Sequence, residues 1–289
     1  MKILIIQENG RHEENRHLKE CFCFQREYEK LGDDVDIWGL SHDTYDSFPD
    51  FNSYDLILNF ENYDETGWVP NLSEYNKPIK FLRSMDAHCI GIGPFIKTYK
   101  DGKYDLILQA IKDYVDDNSV WMPNSFDAEY IRPLNMKKEH FIGFCGSILN
   151  RAQLLNFLTQ KYNLKQDIFV LGDEMVKRIN TYKIHFNINL ANDINCRSFE
   201  TIAAGTVLIT NYNPQYEKLG FQDGKNCIIY KTIEELVNKL EYYKNNDSEL
   251  EVIAMAGQKL SIKHTHKKRA ITIKELVTEC LEKRKSAQV

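Results

Sequence analysis

The run from Arg197 to Asn211, RSFETIAAGTVLITN, sets an arginine, a carboxylate, two alanines, a glycine and an apolar strand in one unbroken stretch. Phe199, Ile202 and Ala203 recur at helical spacing, so one face packs on a sheet while Arg197, Glu200 and Ala204 share a neighbouring stripe. Gly205 stands where a left-handed cap would end that helix, and Thr206 to Thr210 is a short β-branched run suited to a buried parallel strand. Ala203 and Ala204 leave room for a ligand to approach, and a carboxylate at Glu200 can accept both hydroxyls of a ribose. The same residues also fit an ordinary helix and strand with a solvated Glu200.

Upstream, Phe144-Cys145-Gly146-Ser147 ends a strand, and Arg151 follows at the start of a helix. Such a turn presents free backbone N–H groups and a positive dipole end, which suits a diphosphate. Gly146 permits close approach, Ser147 adds a hydroxyl and Arg151 a fork of donors. Arg197 is a second candidate for a leaving phosphate. Asp86 and His88 follow a strand over Ile79 to Met85, so either could take a proton from a hydroxyl, or they could cap and pack the next turn. His12 and Arg16, with Arg11 and His17, form another cluster after the first strand, with His12 the reserve base. Trp68, Tyr63, Phe95 and Tyr99 offer ring faces for a sugar or a base, or fill a core. Asp33-Asp34 and Asp116-Asp117 read as solvated turns, and His264 and His266 do not share a helical face, so no metal site is expected.

These residues need strands and helices to place them. In the first half, strands are predicted over Lys2–Gln7, Val35–Leu40, Asp55–Phe60, Pro78–Met85 and Ser119–Met122, with a helix over Glu13–Leu31. The second half predicts strands over Phe141–Cys145, Ile168–Leu171, Ile184–Leu190, Val207–Thr210 and Cys227–Tyr230. Helices fall near 151–162, 173–181, 197–204, 232–243, 248–262 and 267–285. Such alternation implies parallel sheets wrapped by helices, with ligands met at the carboxyl ends of the strands.

At 289 residues the chain suits two domains, each with its own core. The apolar opening Ile3 to Ile6 is cut short by Gln7 and Glu8, too soon for a signal peptide or membrane span, so a cytoplasmic protein is expected. Seven cysteines without a CxxC pair read as reduced core thiols. The net charge is −5, but residues 255–289 hold nine Lys/Arg against three Glu, a net +6, which leaves −11 on the rest. A basic tail on an acidic body can meet a phosphate-bearing partner or can simply be a solvated helix.

Taken in order, Phe144-Cys145-Gly146-Ser147 with Arg151, Leu171-Gly172-Asp173, Asn187-Ile188-Asn189-Leu190, Arg197-Ser198-Phe199-Glu200, Ala203-Ala204-Gly205, Gly224 and His264-Thr265 resemble the two-domain GT-B glycosyltransferases. The likeness is to the branch of spore-maturation-type enzymes with a short group 1 C-terminal domain, and it covers most of the C-terminal half. No single piece is specific; the ordered set is. The resemblance implies two Rossmann-like domains with a cleft between them. Residues 1–122 would bind the acceptor, 123–140 link, 141–265 bind the nucleotide sugar, and a crossover helix over 266–289 return to the N-terminal domain. It implies sugar transfer from a nucleotide donor, a UDP-hexose being expected, with no obligatory metal. Gly146, Ser147, Arg151, Arg197, Glu200 and Gly205 would serve the donor. Asp86, His88 or His12 would act as base, with Arg16 and Trp68 on the acceptor. Where such enzymes carry an earlier glutamate on this segment, this chain has Asn192, with Asp193 one residue off, which removes one grip on the sugar.

The acceptor reads two ways. A hydroxymethylated pyrimidine in DNA, as in phage DNA glucosyltransferases of this fold, suits the basic tail and would need base extrusion, whereas net acidity weighs against a long phosphate track. A surface glycan is the other. A nucleotide-sugar epimerase or hydrolase on the same fold and a non-catalytic sugar-nucleotide-binding protein are the alternatives to transfer.

Overall fold

The computed structural model describes residues 1–61 and 67–287. The chain divides into two compact units, Met1–Pro123 with His266–Val289, and Asn124–Thr265.

The first unit is built on β1 (Lys2–Ile6), β2 (Asp34–Trp38), β3 (Leu56–Phe60), β4 (Ile79–Ser84), β5 (Leu106–Gln109) and β6 (Ser119–Trp121). All pair in parallel, in the order β2-β1-β3-β4-β5-β6. Every residue of β3 and β4 is buried, as a parallel strand covered on both faces requires. Buried Lys80 on β4 remains satisfied because its Nζ donates to Leu72 O and Gly102 O. Helix α1 (Glu20–Lys30) supplies Phe24 and Tyr28 to the core on one face. The other face is aromatic, with Trp38, Phe51, Tyr54, Phe95 and Tyr104, and α2 (Ala87–Ile90) and α3 (Gly93–Gly102) follow β4.

The second unit begins with β7 (His140–Gly146), α4 (Ala152–Tyr162), β8 (Lys165–Ile168), α5 (Gly172–Thr181) and β9 (Tyr182–Asn187). It continues through α6 (Cys196–Ala203), β10 (Val207–Asn211), α7 (Gln215–Lys218), β11 (Ile228–Tyr230), α8 (Ile233–Tyr243) and α9 (Asp247–Ser261). Its parallel sheet runs β11-β10-β9-β7-β8. The chain then returns to the first unit as α10 (His266–Ser286). Ala270, Ile273 and Val277 of α10 join the core beside α1. Arg284 clamps Asp105 at 2.8 Å and donates to the carbonyls of Asn76, Lys77 and Pro78, while Lys274 pairs with Asp33. In each sheet the strand order reverses beside the first strand, between β1 and β3 and between β7 and β9, which are the switch points where ligands bind in such folds.

Several local expectations differ. The helix predicted over Glu13–Leu31 is a 3-10 segment, Glu13–Leu18, followed by α1, because Lys19 is extended at the junction. Strand β5 and helix α3 went unread, since a four-residue strand has too little periodicity to register. The strand predicted over Ile168–Leu171 lies earlier, at Lys165–Ile168, because Asp167 turns inward to the Tyr182 hydroxyl and the chain leaves the sheet at Phe169. Residues 124–140 are packed into the second unit: Asn124 Nδ2 donates to Ile194 O at 3.2 Å, Leu134 N to Asn180 Oδ1 at 2.9 Å, and Lys138 Nζ to Thr206 Oγ1 at 2.7 Å.

Candidate functional site

In the second unit the β7–β9 switch point is bordered by the Gly146-Ser147 turn and the Ile188 segment. Arg151 joins them. Its Nε and Nη2 donate to Ile188 O at 3.2 and 3.1 Å, and its Nη1 to Ser147 O at 3.2 Å. Burial pulls its pKa down, opposed by the charge of Asp193. The fork that the sequence assigns to phosphate therefore also ties two loops together, with two of its five N–H groups uncommitted to these bonds.

Helix α6 starts at the same edge of the sheet, since it follows the carboxyl end of β9. Arg197 and Glu200 face each other one turn apart, Nη1 to Oε2 at 2.6 Å, with side chains 22% and 15% exposed. A half-buried ion pair of this kind presents a cation and an anion to one approaching ligand. Gly205 does not belong with them. It lies past the opposite end of α6, at φ +67° and against Pro133, just before β10 begins, so it caps the helix at the amino edge of the sheet.

Leu149 and Phe169 were missed as candidates. They follow the adjacent strands β7 and β8, are 67% and 72% exposed, and hold φ at +33° and +53°. Bulky side chains rarely adopt that region, and such outliers concentrate where a ligand is held. The Phe169 N–H donates to Gly146 O at 3.3 Å, which ties the Phe169 backbone to the glycine turn. Backbone strain of this type leaves no trace in composition or period.

In the first unit, Asp86 and His88 stand at the carboxyl end of β4, where α2 begins. Asp86 makes no side-chain capping bond to that helix. His88 Nε2 lies 3.3 Å from Cys89 Sγ, and its Nδ1 is buried without a partner among the described residues. Glu61, absent from the sequence-based candidates, directly follows β3 at the switch point. It is buried, and its Oε2 accepts the N–H groups of both Met85 and Asp86. Burial raises its pKa, against those two hydrogen bonds. A carboxylate directly after an apolar strand was the available signal.

His12 is exposed and lines a cavity of about 510 Å³ after β1, with Glu8, Arg11, Asn15, Lys19 and Glu20. Arg16 is half-buried nearby in sequence, with Nε buried and unpartnered among the described residues. Phe95 is 6% exposed and belongs to the core, and Trp68 packs its ring on Trp38 and Tyr45 at 5.8 and 6.0 Å. Tyr99 is half-buried against the same cluster, and Tyr63 lies outside the described residues. Among the described residues, no group of three His, Cys, Asp or Glu side chains could hold a metal ion, and no helix is long and apolar enough to cross a membrane.

A family model described as glycosyl transferase-like matches residues 131–275. No curated protein matches the chain by sequence. Solved structures do match by shape. An α-glucosyltransferase in complex with UDP and a 13-mer DNA containing a central A:G mismatch aligns with TM-score 0.67 at 11% identity, over 96% of this chain and 100% of that one. HepE of Anabaena, in complex with UDP and glucose, gives 0.66 at 11%, again over 96% and 100%. The DNA-modifying β-glucosyltransferase, solved with and without uridine diphosphoglucose, gives 0.65 at 13% over the same shares. At such identities the likeness carries the fold, two parallel-sheet α/β units of GT-B type.

Proposed function

The chain belongs to the glycosyl transferase-like family and is a glycosyltransferase, and from that premise we propose that it moves a hexose from UDP to an acceptor hydroxyl. The observation that carries the donor assignment is the Arg197–Glu200 pair on the first turns of α6, at the switch-point edge that also holds the Gly146-Ser147 turn. Glu200 accepts the ribose hydroxyls, the backbone N–H groups after Gly146 cradle the diphosphate, and Arg197 takes the charge that builds on the leaving phosphate. The exposed Phe169 ring and Leu149 offer apolar faces to the base. Shape neighbours bound to UDP or uridine diphosphoglucose support this choice of nucleotide. A thermal-shift panel of UDP, GDP, ADP and dTDP tests it, and stabilisation by none of them sinks it.

The two arginines should separate. Arg197→Ala should weaken UDP far more than uridine, by about tenfold or more for a lost charge-assisted contact. Arg151→Ala should also lower the melting temperature, because Ser147 O and Ile188 O lose their donors. Equal losses for UDP and uridine in calorimetry would leave both arginines with structural roles alone.

For the acceptor we favour a hydroxymethylated pyrimidine in DNA, with the proton taken on the first unit by Asp86 or His88. The exposed Lys263, Lys267 and Lys268 give the backbone phosphates cations to meet, and one shape neighbour is bound to DNA. Affinity for hydroxymethylated duplex should then fall steeply with salt, and Lys267→Glu/Lys268→Glu should flatten the slope by roughly 2 in log–log form. A surface glycan as acceptor predicts rates indifferent to both changes. Product mass spectrometry in the same titration decides between them, and conversion of the donor alone, by water or at a sugar carbon, would point to a hydrolase or epimerase.

A further inference from the structure

His185 on β9 is fully buried, at 0% exposure, beneath the elements assigned to the donor. The ladder between β7 and β9 runs through His140–Tyr182 and Ile142–Ile184 and ends at Gly143–His185. Beyond that point, where the strands approach the switch point, the Cys145 N–H donates to His185 Nε2 at 3.1 Å. A ring nitrogen that accepts carries no proton, so in the neutral ring the proton is on Nδ1. Nδ1 lies 2.6 Å from Thr201 Oγ1, and the Thr201 hydroxyl donates to Arg197 O at 2.7 Å. With its one proton committed there, Thr201 accepts from His185.

The three bonds point one way, from the residue before the Gly146-Ser147 turn to the turn of α6 that carries Arg197 and Glu200. We infer that His185 is a positioning residue, which through Thr201 holds the nucleotide-binding helix α6 in register with the glycine turn of β7. The inference rests on the donor reading above. A leucine would fill this site without bringing polar atoms into the core, so the imidazole is explained by its two bonds and not by its volume. Burial, with the charge of Arg197 added, pushes its pKa well below the ordinary histidine value, which keeps the ring neutral. Protonation would set an Nε2–H against the Cys145 N–H, so neutrality preserves the link.

Thr201 allows a test in which packing and hydrogen bonding predict opposite orders. Thr201→Val keeps the volume and removes the hydroxyl; Thr201→Ser keeps the hydroxyl and loses a methyl. If the link positions α6, T201S binds UDP with parental affinity and T201V binds about tenfold more weakly, a loss of about 1.4 kcal/mol, even where T201V melts at the higher temperature. The reverse order, or equal affinity in both variants, overturns the inference. Should the parental protein bind no UDP, the donor reading itself falls, and the link is read without ligand from the ring nitrogens of ¹⁵N-labelled protein. A proton on Nδ1 alone supports it; a proton on Nε2 at pH 7 refutes it.

Discussion

Glu200→Ala should weaken UDP binding by an order of magnitude or more. A hydrogen bond to a charged acceptor is worth about 1.5 to 3 kcal/mol, and 1.4 kcal/mol is tenfold in affinity. Two ribose hydroxyls on one carboxylate could exceed a hundredfold by simple addition, but the neighbouring arginine reduces the sum. Arg197 Nη1 already holds Oε2 at 2.6 Å, so the ligand shares the carboxylate, and deleting it releases a cation toward the phosphates. Glu200→Gln should fall between the parental protein and Glu200→Ala. The control is 2′,3′-dideoxyuridine diphosphate, whose affinity should differ little between Glu200→Ala and the parental protein because the hydroxyls are absent. Unchanged UDP affinity in calorimetry removes Glu200 from the site.

The α6–β10 stretch was legible because its information is local. Helix spacing, the cap at Gly205 and the strand after it lie within fifteen residues, and the structure reproduces each. The parallel sheets were legible for a similar reason, since runs such as Leu56–Phe60 must be covered on both faces. What escaped depends on partners distant in the chain. Whether Arg151 faces a phosphate or a carbonyl is decided by Ile188, and the His185 link needs both Cys145 and Thr201. Phe95 has two readings in the sequence, ring platform or core, because an aromatic side chain looks the same there in either place, and only packing selects the core. The resemblance groups Gly205 with the donor residues, whereas Gly205 lies past the end of α6 opposite to the one that carries Arg197.

Asp86→Asn should lower turnover by about 10²- to 10⁴-fold, the usual contribution of a general base, while the affinity for UDP stays at the parental value. The base acts on the acceptor proton in the transition state, so kcat and kcat/KM should fall together with KM for the donor unmoved. Asp86 is the stronger candidate because its backbone is anchored at the carboxyl end of β4. Glu61 holds that anchor, its Oε2 taking the Met85 and Asp86 N–H groups. Glu61→Gln can still accept both N–H groups through its amide oxygen and should cost far less than Asp86→Asn if the anchor is only geometric. Were the two losses equal, the raised pKa of Glu61 would make it the base and Asp86 its neighbour. His88→Gln separates the remaining choice, since the glutamine cannot take up a proton near neutral pH. Parental turnover in both Asp86→Asn and His88→Gln would move the search to His12, in the cavity after β1 with Glu8 and Lys19.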